Sequence, residues 1–206
     1  NNELVATWGN LVNRVLSFTW KNFEGKIPNP GELRPSDLEL LDVIQSGFES
    51  VGSRIEKVEL KAALAEAMRL ATEVNKYLDV HAPWFEIKTD RNEAAKSLFT
   101  AVQAIDWLKL MFAPFLPETS ERLHQILAHK SSLFSTPITQ EVSDSLGSHL
   151  VLGLDHQNAM AREGYDSWVP EVLEEGKPFN QPSALFKKFD HSIVEEERSR
   201  LGKPSD

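Results

Sequence analysis

Through about residue 130 the apolar residues recur every three to four positions in five successive runs, a pattern that is buried by packing helices together. The first run, residues 2 to 24, sets Leu4, Trp8, Leu11, Val12, Val15, Thr19 and Phe23 on one stripe, with Gly25 behind it as a C-terminal cap. Residues 26 to 31 form a loop by their prolines and glycine. A second helix is expected from Ser36 or Asp37, with Pro35 before it and Glu39 at capping-box spacing from Ser36. It carries Leu38, Leu41, Ile44, Phe48, Val51 and Ile55 along one face. The third run, Glu59 to Tyr77, is rich in alanine, which favours helix and lets helices approach closely. The fourth is expected to open at Asn92 and turn Ala95, Leu98, Val102, Ile105, Leu108 and Phe112 inward until Pro114 stops it. Pro117 then suits the first turn of a fifth helix through Leu127.

Between the third and fourth runs lies VNKYLDVHAPWFEIK, residues 74 to 88. Pro83 biases Ala82 away from helical dihedrals, so the helix breaks there and Trp84 follows directly on the proline, near the surface. A tryptophan so placed is either a stacking platform for a base or ligand, or a plug that caps the bundle. The short link makes the two flanking helices antiparallel neighbours. On the first helix Asn10 and Arg14 are four apart and share a face, with Asn13 beside them. A solvated polar face is the plain alternative to a binding pair.

Beyond residue 130 the helical period lapses. Residues 131 to 180 are rich in Ser, Gly, Pro and acids, and loops with short extended pieces are expected. The stretch 184 to 201 turns amphipathic again, with Leu185, Phe186, Phe189, Ile193, Val194 and Leu201 as a face that docks a terminal segment. The expected architecture is all-α. A helical bundle covers 1–130, an irregular segment 131–180, and a C-terminal peptide with a short helix 181–206.

Composition narrows the function. The absence of cysteine excludes disulfides, thiolate catalysis and Cys-based zinc sites, and fits a reducing cytoplasm. No stretch approaches the apolar length needed to cross a bilayer, and the first residues lack a signal-peptide pattern. The chain opens without Met in what already reads as helix, and is expected to be a piece of a longer protein. With 22 basic and 31 acidic residues the net charge is −9, which argues against broad, sequence-blind nucleic-acid binding. The imbalance is uneven: residues 1 to 30 hold Arg14, Lys21 and Lys26 against Glu3 and Glu24, a net of +1, so the remainder carries −10. That suits a small, selective contact. There is no glycine-rich phosphate loop, G-x-S-x-G elbow or HExxH. His124 and His129, five apart, are expected to splay on the fifth helix, and His149 with His156 is a remote metal candidate; no metal site is expected.

Three stretches, NELVATWGNLVNRVLSFTWKNFEGKIP, HAPW and APFLPETSERL, together resemble the anticodon-binding region of methionyl-tRNA synthetases, a class I aminoacyl-tRNA synthetase family. GKPFNQPSALFKKFDHSIVEEERSRLG is similar to that family's C-terminal peptide, which folds back towards the catalytic domain; residues 131 to 175 match no such pattern. The resemblance implies an anticodon-binding helical bundle in which Asn10, Arg14 and Trp84, with Pro83 before it, bind the CAU anticodon of methionine and initiator tRNA. It implies two partners, the anticodon loop of tRNA(Met) and an upstream catalytic domain, in the cytoplasm and away from membranes. The family's H-x-G-H and K-M-S-K-S signatures are missing from this chain. Alone it is therefore expected to be inactive, with no catalytic residue and no cofactor, while ATP and magnesium belong to the catalytic domain of the parent ligase. Two other readings compete. One is a helical protein-interaction module in which Trp8, Trp84 and Trp107 make core or partner contacts and no RNA binds. The other is an enzyme using His149 or His156 with a metal.

Overall fold

A computed structural model describes residues 4–155, 168–186 and 192–201. A π-helical segment, Leu4–Gly9, runs directly into α1 (Asn10–Asn22). Then follow α2 (Pro35–Gln45), α3 (Gly47–Glu56), α4 (Leu60–His81), the single turn α5 (Pro83–Glu86), α6 (Arg91–Phe112) and α7 (Pro117–Ile126). An antiparallel hairpin, β1 (Thr136–Asp144) and β2 (Gly147–Asp155), and a last helix, α8 (Ser192–Arg200), complete the described elements. The all-α class holds, with one small two-stranded sheet.

Several boundaries differ from the sequence expectation for local reasons. The capping box of α2 joins Arg34 to Asp37, not Ser36 to Glu39: Arg34 N–H donates to Asp37 Oδ2 at 2.8 Å, and Pro35 takes the first helical position, where no N–H is needed. The run from Leu38 to Ile55 is two helices that meet at Ser46. There Gly47 lets backbone approach the core, since a Cβ on it would lie 2.4 Å from Leu70 Cδ1 and 2.8 Å from Met111 Cε. Helix α4 runs past Tyr77 to His81 and ends on Ala82 in the left-handed region, φ 41° and ψ 61°. At the start of α6, Asp90 caps by accepting from the N–H groups of Asn92 and Glu93.

Helix α6 is the axis of the bundle. Apart from Lys96, every residue from Ala94 to Phe112 is buried, polar ones included. It packs on α2, α4, α5 and α7. Residues 168–186 cross it as an extended strap. Gln103 donates to Glu171 O at 2.9 Å and accepts from Leu173 N at 2.7 Å, and Trp107 Nε1 donates to Glu171 O at 2.6 Å. Further on, Ile27 N–H donates to Lys177 O, Phe179 N–H to Gly25 O and Asn180 N–H to Ile126 O. Each bond satisfies a backbone group on a strap that has no ladder of its own. Trp168 anchors the near end, donating to Phe48 O at 2.8 Å and standing edge-on to the Phe48 ring. At the far end Leu185 is buried and Phe186 packs on the core beside Gly9.

Residues 131–180, expected as loops with short extended pieces, thus hold a nine-residue-per-strand hairpin and the strap. The hairpin pairs Thr136 with Asp155 through Asp144 with Gly147, and the turn at 145–146 closes on Gly147 at φ 124°. The apolar docking face expected over 184 to 201 is realised at Leu185 and Phe186 but not in α8, which has no buried residue; Val194 and Leu201 are exposed. Phe189 lies outside the described residues.

His124 and His129 do not splay. Helix α7 stops at Ile126, and Ala128 in the left-handed region (φ 53°) turns the chain back, so the two rings stack with centroids 4.2 Å apart. They belong to a buried ionic cluster on α6. Lys109 Nζ donates to Asp106 Oδ1 at 2.6 Å and lies 3.0 Å from His124 Nδ1; His129 Nε2 lies 2.7 Å from the same Asp106 oxygen. His124 Nε2 is 2.8 Å from Ser131 O, which can only accept, so that nitrogen carries the proton and Nδ1 accepts from the ammonium. Burial first, then the Lys109 charge, push the His124 pKa from 6.5 down to about 3. Below pH 6.5 the unfolded chain therefore binds a proton that the folded chain refuses. Stability from this group is complete above pH 6.5 and is lost on acidification towards pH 3, by up to about 1.4 kcal/mol per pH unit. Denaturant midpoints should fall across that window, and His124→Gln should make the fall shallower; equal slopes in the two proteins would contradict this protonation assignment.

Candidate functional site

Asn10 begins α1 and Arg14 follows one turn later; both are exposed, while Leu11, Val12, Val15 and Leu16 fix the helix from behind. Trp84 is placed by α5. At about 100° per residue, Pro83 and Glu86 of this single turn share its inner side, and Trp84 and Phe85 share the outer. The burial agrees: Pro83 is buried, Glu86 and Trp84 are half-buried, and Phe85 is 65% exposed.

The inner side is tied by Arg34. Its guanidinium bonds Asp37 on α2, Glu86 on α5 at 3.4 Å, Glu93 on α6 at 3.1 Å, Tyr77 on α4 and Ser97 on α6 at 2.7 Å. Ser97 Oγ donates to the second Glu86 oxygen at 2.7 Å, and Tyr77 donates to Asp37 Oδ1 at 2.6 Å. Burial alone would raise the Asp37 pKa; its bonds from Arg34 and Tyr77 outweigh that and hold the carboxyl below its usual range. The same surroundings, burial foremost and then the Arg34 charge, lower the pKa of His81, whose ring meets Tyr77 at 4.5 Å. Four helices thus share one cation, and the break at 81–83 has a fixed geometry.

On the outer side the guanidinium of Arg14 lies over the Trp84 ring, with Cζ 4.5 Å from the ring centroid. One of its nitrogens donates to Asn75 Oδ1 at 3.3 Å, and Asn75 is in turn steadied by a bond to Ala71 O at 3.1 Å. The structure therefore joins Arg14 and Trp84, 70 positions apart in sequence, and keeps Asn10 one turn from Arg14 on the same exposed flank. Pro83 acts behind them, as the buried first residue of α5. Trp84 is neither a buried plug nor a free platform: one face meets the guanidinium while the ring packs against the core. Asn75 was missed by sequence reasoning. Its only signal is its place, half-buried beside the apolar stripe of α4 and one turn before Asp79, which does not by itself point to Arg14.

This flank offers planar surface, five guanidinium donors and two side-chain amides within one locality. It has no nucleophile with a base beside it. His149 pairs with Asp144 in the exposed hairpin at 3.1 Å, and His156 lies outside the described residues. Among the described residues no group of three or more His, Asp or Glu is arranged to hold a metal, and no helix is long and apolar enough to cross a membrane.

Residues 27–149 match the family model described as the anticodon binding domain of methionyl tRNA ligase. That span includes Asn75, Pro83 and Trp84 and leaves out Asn10 and Arg14. A methionine–tRNA ligase of Thermomicrobium roseum is 51% identical over 98% of this chain, which covers 34% of that protein. One from Chloroflexus aggregans is 45% identical over 98% of the chain and 33% of its own length. The chain thus spans about a third of the length of the curated relatives it matches. The crystal structure of apo Mycobacterium tuberculosis methionyl-tRNA synthetase shares the fold with a TM-score of 0.70 at 23% identity, over 92% of this chain and 33% of that one.

Proposed function

The chain belongs to the family of anticodon-binding domains of methionyl-tRNA ligase, and from that premise we propose that its Asn10–Arg14–Trp84 flank reads the first base of a CAU anticodon. The observation that carries this reading is the guanidinium of Arg14 resting on Trp84. Cytosine presents N3 and O2 as acceptors and its N4 amino group as donor. Arginine supplies only donors, and the Asn10 amide supplies an acceptor as well as donors. Together they complement cytosine and mismatch uracil, whose N3–H donates and whose O4 accepts. Trp84 supplies the face on which an unstacked loop base settles.

The contact of Arg14 with Trp84 gives the two functions a common step. A base arriving on the ring competes with the guanidinium for its face. Displaced from the ring and from Asn75, Arg14 turns its donors to the edge of that base. The ring positions the base and the freed donors read its edge, as separable contributions, and Asn75 is the group that holds Arg14 ready.

In the same proposal the domain serves a ligase whose catalytic domain, absent from this chain, binds ATP and magnesium and attaches methionine to the tRNA in the cytoplasm. The test is a titration of the chain with an RNA stem-loop bearing CAU in its loop and with the same stem-loop bearing UAU. Preference for CAU is expected; equal affinity, or no binding of either, contradicts the proposal and favours a protein-interaction module.

A further inference from the structure

Phe85 is one of the most exposed aromatic side chains of the described residues, 65% accessible, and it stands on the outer side of the same helical turn as Trp84. It is not an isolated apolar spot. Lys88, three residues on, reaches over its ring with Nζ 5.7 Å from the centroid. Just beyond, at the start of α6, the Arg91 guanidinium lies over Phe23 at 4.6 Å and also bonds Asn22 O at the end of α1. The elbow from α5 to α6 thus runs along α1 from the Arg14–Trp84 contact to the Arg91–Phe23 contact at its C-terminal end. Arg14 and Asn22 are eight residues apart, about 12 Å of helix rise.

The acids nearby are already engaged. Glu86 bonds Arg34 and Ser97, Asp90 caps α6, and Glu93 bonds Arg34 and Lys96. The elbow therefore shows aromatic faces with cations beside them on a chain whose net charge is −9. Aromatic rings alternating with cations are what a single strand of RNA uses: the rings stack bases and the cations meet the phosphates between them. A ring kept 65% in water leaves most of its surface open to a partner.

We infer that Phe85, with Lys88 beside it, is a second stacking station that takes an unpaired nucleotide next to the one held at Trp84, in the same RNA loop. The inference rests on the anticodon reading and adds a residue, a second nucleotide and a direction along the elbow. Stacking is indifferent to base identity, so this station adds affinity and not anticodon choice.

The test uses the full chain, the CAU stem-loop, and versions of that stem-loop made abasic at each loop position in turn. Phe85→Ala is expected to weaken CAU binding by about 5- to 150-fold, the range of one lost base stack, with the thermal midpoint unchanged because the side chain is exposed. Phe85→Tyr keeps a ring and should restore affinity. The loss on Phe85→Ala should vanish for one abasic position, and that position should differ from the one that cancels the effect of Trp84→Ala. If Trp84→Ala weakens binding and Phe85→Ala does not, this inference is overturned and the anticodon reading stands. Cancellation of both mutations at the same nucleotide also overturns it. If neither mutation weakens binding, the anticodon reading itself has failed.

Discussion

Asp106→Ala is expected to lower the unfolding free energy by about 3–5 kcal/mol, the usual penalty for removing one partner of a buried ion pair. The carboxylate is 3% exposed and the Lys109 it pairs with 1%. Burial would raise the Asp106 pKa, but the Lys109 charge and the bond from His129 outweigh it and keep the group ionised well below its usual range. Burial lowers the Lys109 pKa, and Asp106 counters only part of that. Without Asp106 the ammonium is left against two imidazoles, with Glu171 as the remaining anion that acts on it. Three elements lose a common anchor, because the cluster joins α6 to α7 and to the turn at 127–131. A second variant separates charge from shape. Asp106→Leu combined with Lys109→Met removes both charges and should recover part of the loss, the remainder being the cost of leaving His124 Nδ1 and His129 Nε2 without their partners. Denaturant unfolding of the three proteins is the measurement. A loss under about 1 kcal/mol for Asp106→Ala would mean that the pair is hydrated and not buried as described.

The five helical runs were legible because each buries one stripe and the stripe repeats at the helical period. Helix α6 was only half legible. The pattern gives Ala95, Leu98, Val102, Ile105, Leu108 and Phe112, yet the opposite side, with Gln103, Asp106 and Lys109, is buried too. Periodicity is silent on these polar residues because their partners, Glu171, Leu173, His124 and His129, come from distant or irregular segments. The strap was illegible for the same reason: its backbone bonds go to other elements, so it has no period of its own. Extended pieces were expected here but their pairing as a hairpin was not, because Leu150, Leu152 and Leu154 alternate on β2 while β1 opposes them with Glu141, Thr139 and Pro137, and the turn at 145–146 lacks the Asn-Gly signal. At the candidate site, the four-residue spacing of Asn10 and Arg14 and the Ala-Pro before Trp84 were visible. The resemblance grouped them in one site, but spacing alone could not bring them together, since their contact depends on the left-handed Ala82 and on the Arg34 network that holds α5 against α2, α4 and α6.

The second large effect concerns RNA, where the roles proposed for Trp84 and Arg14 differ in kind. Trp84→Ala removes a stacking surface, worth about 1–3 kcal/mol per base, and should weaken CAU and UAU stem-loops alike. Arg14→Ala and Asn10→Ala remove edge contacts. Taking the scale of bidentate base contacts in DNA, they should weaken CAU by about 1–3 kcal/mol and leave UAU, already poorly bound, little changed. With an acidic domain and few phosphate contacts, the salt dependence of binding should be shallow. Arg14→Ala also uncovers the Trp84 ring, so any rise in UAU affinity would follow from the freed face. The most direct measurement is the ratio of CAU to UAU affinity in the wild-type chain, Arg14→Ala and Trp84→Ala under one buffer. The ratio should collapse towards one in Arg14→Ala and persist in Trp84→Ala while both affinities fall; a ratio that survives Arg14→Ala and disappears in Trp84→Ala would contradict the assignment.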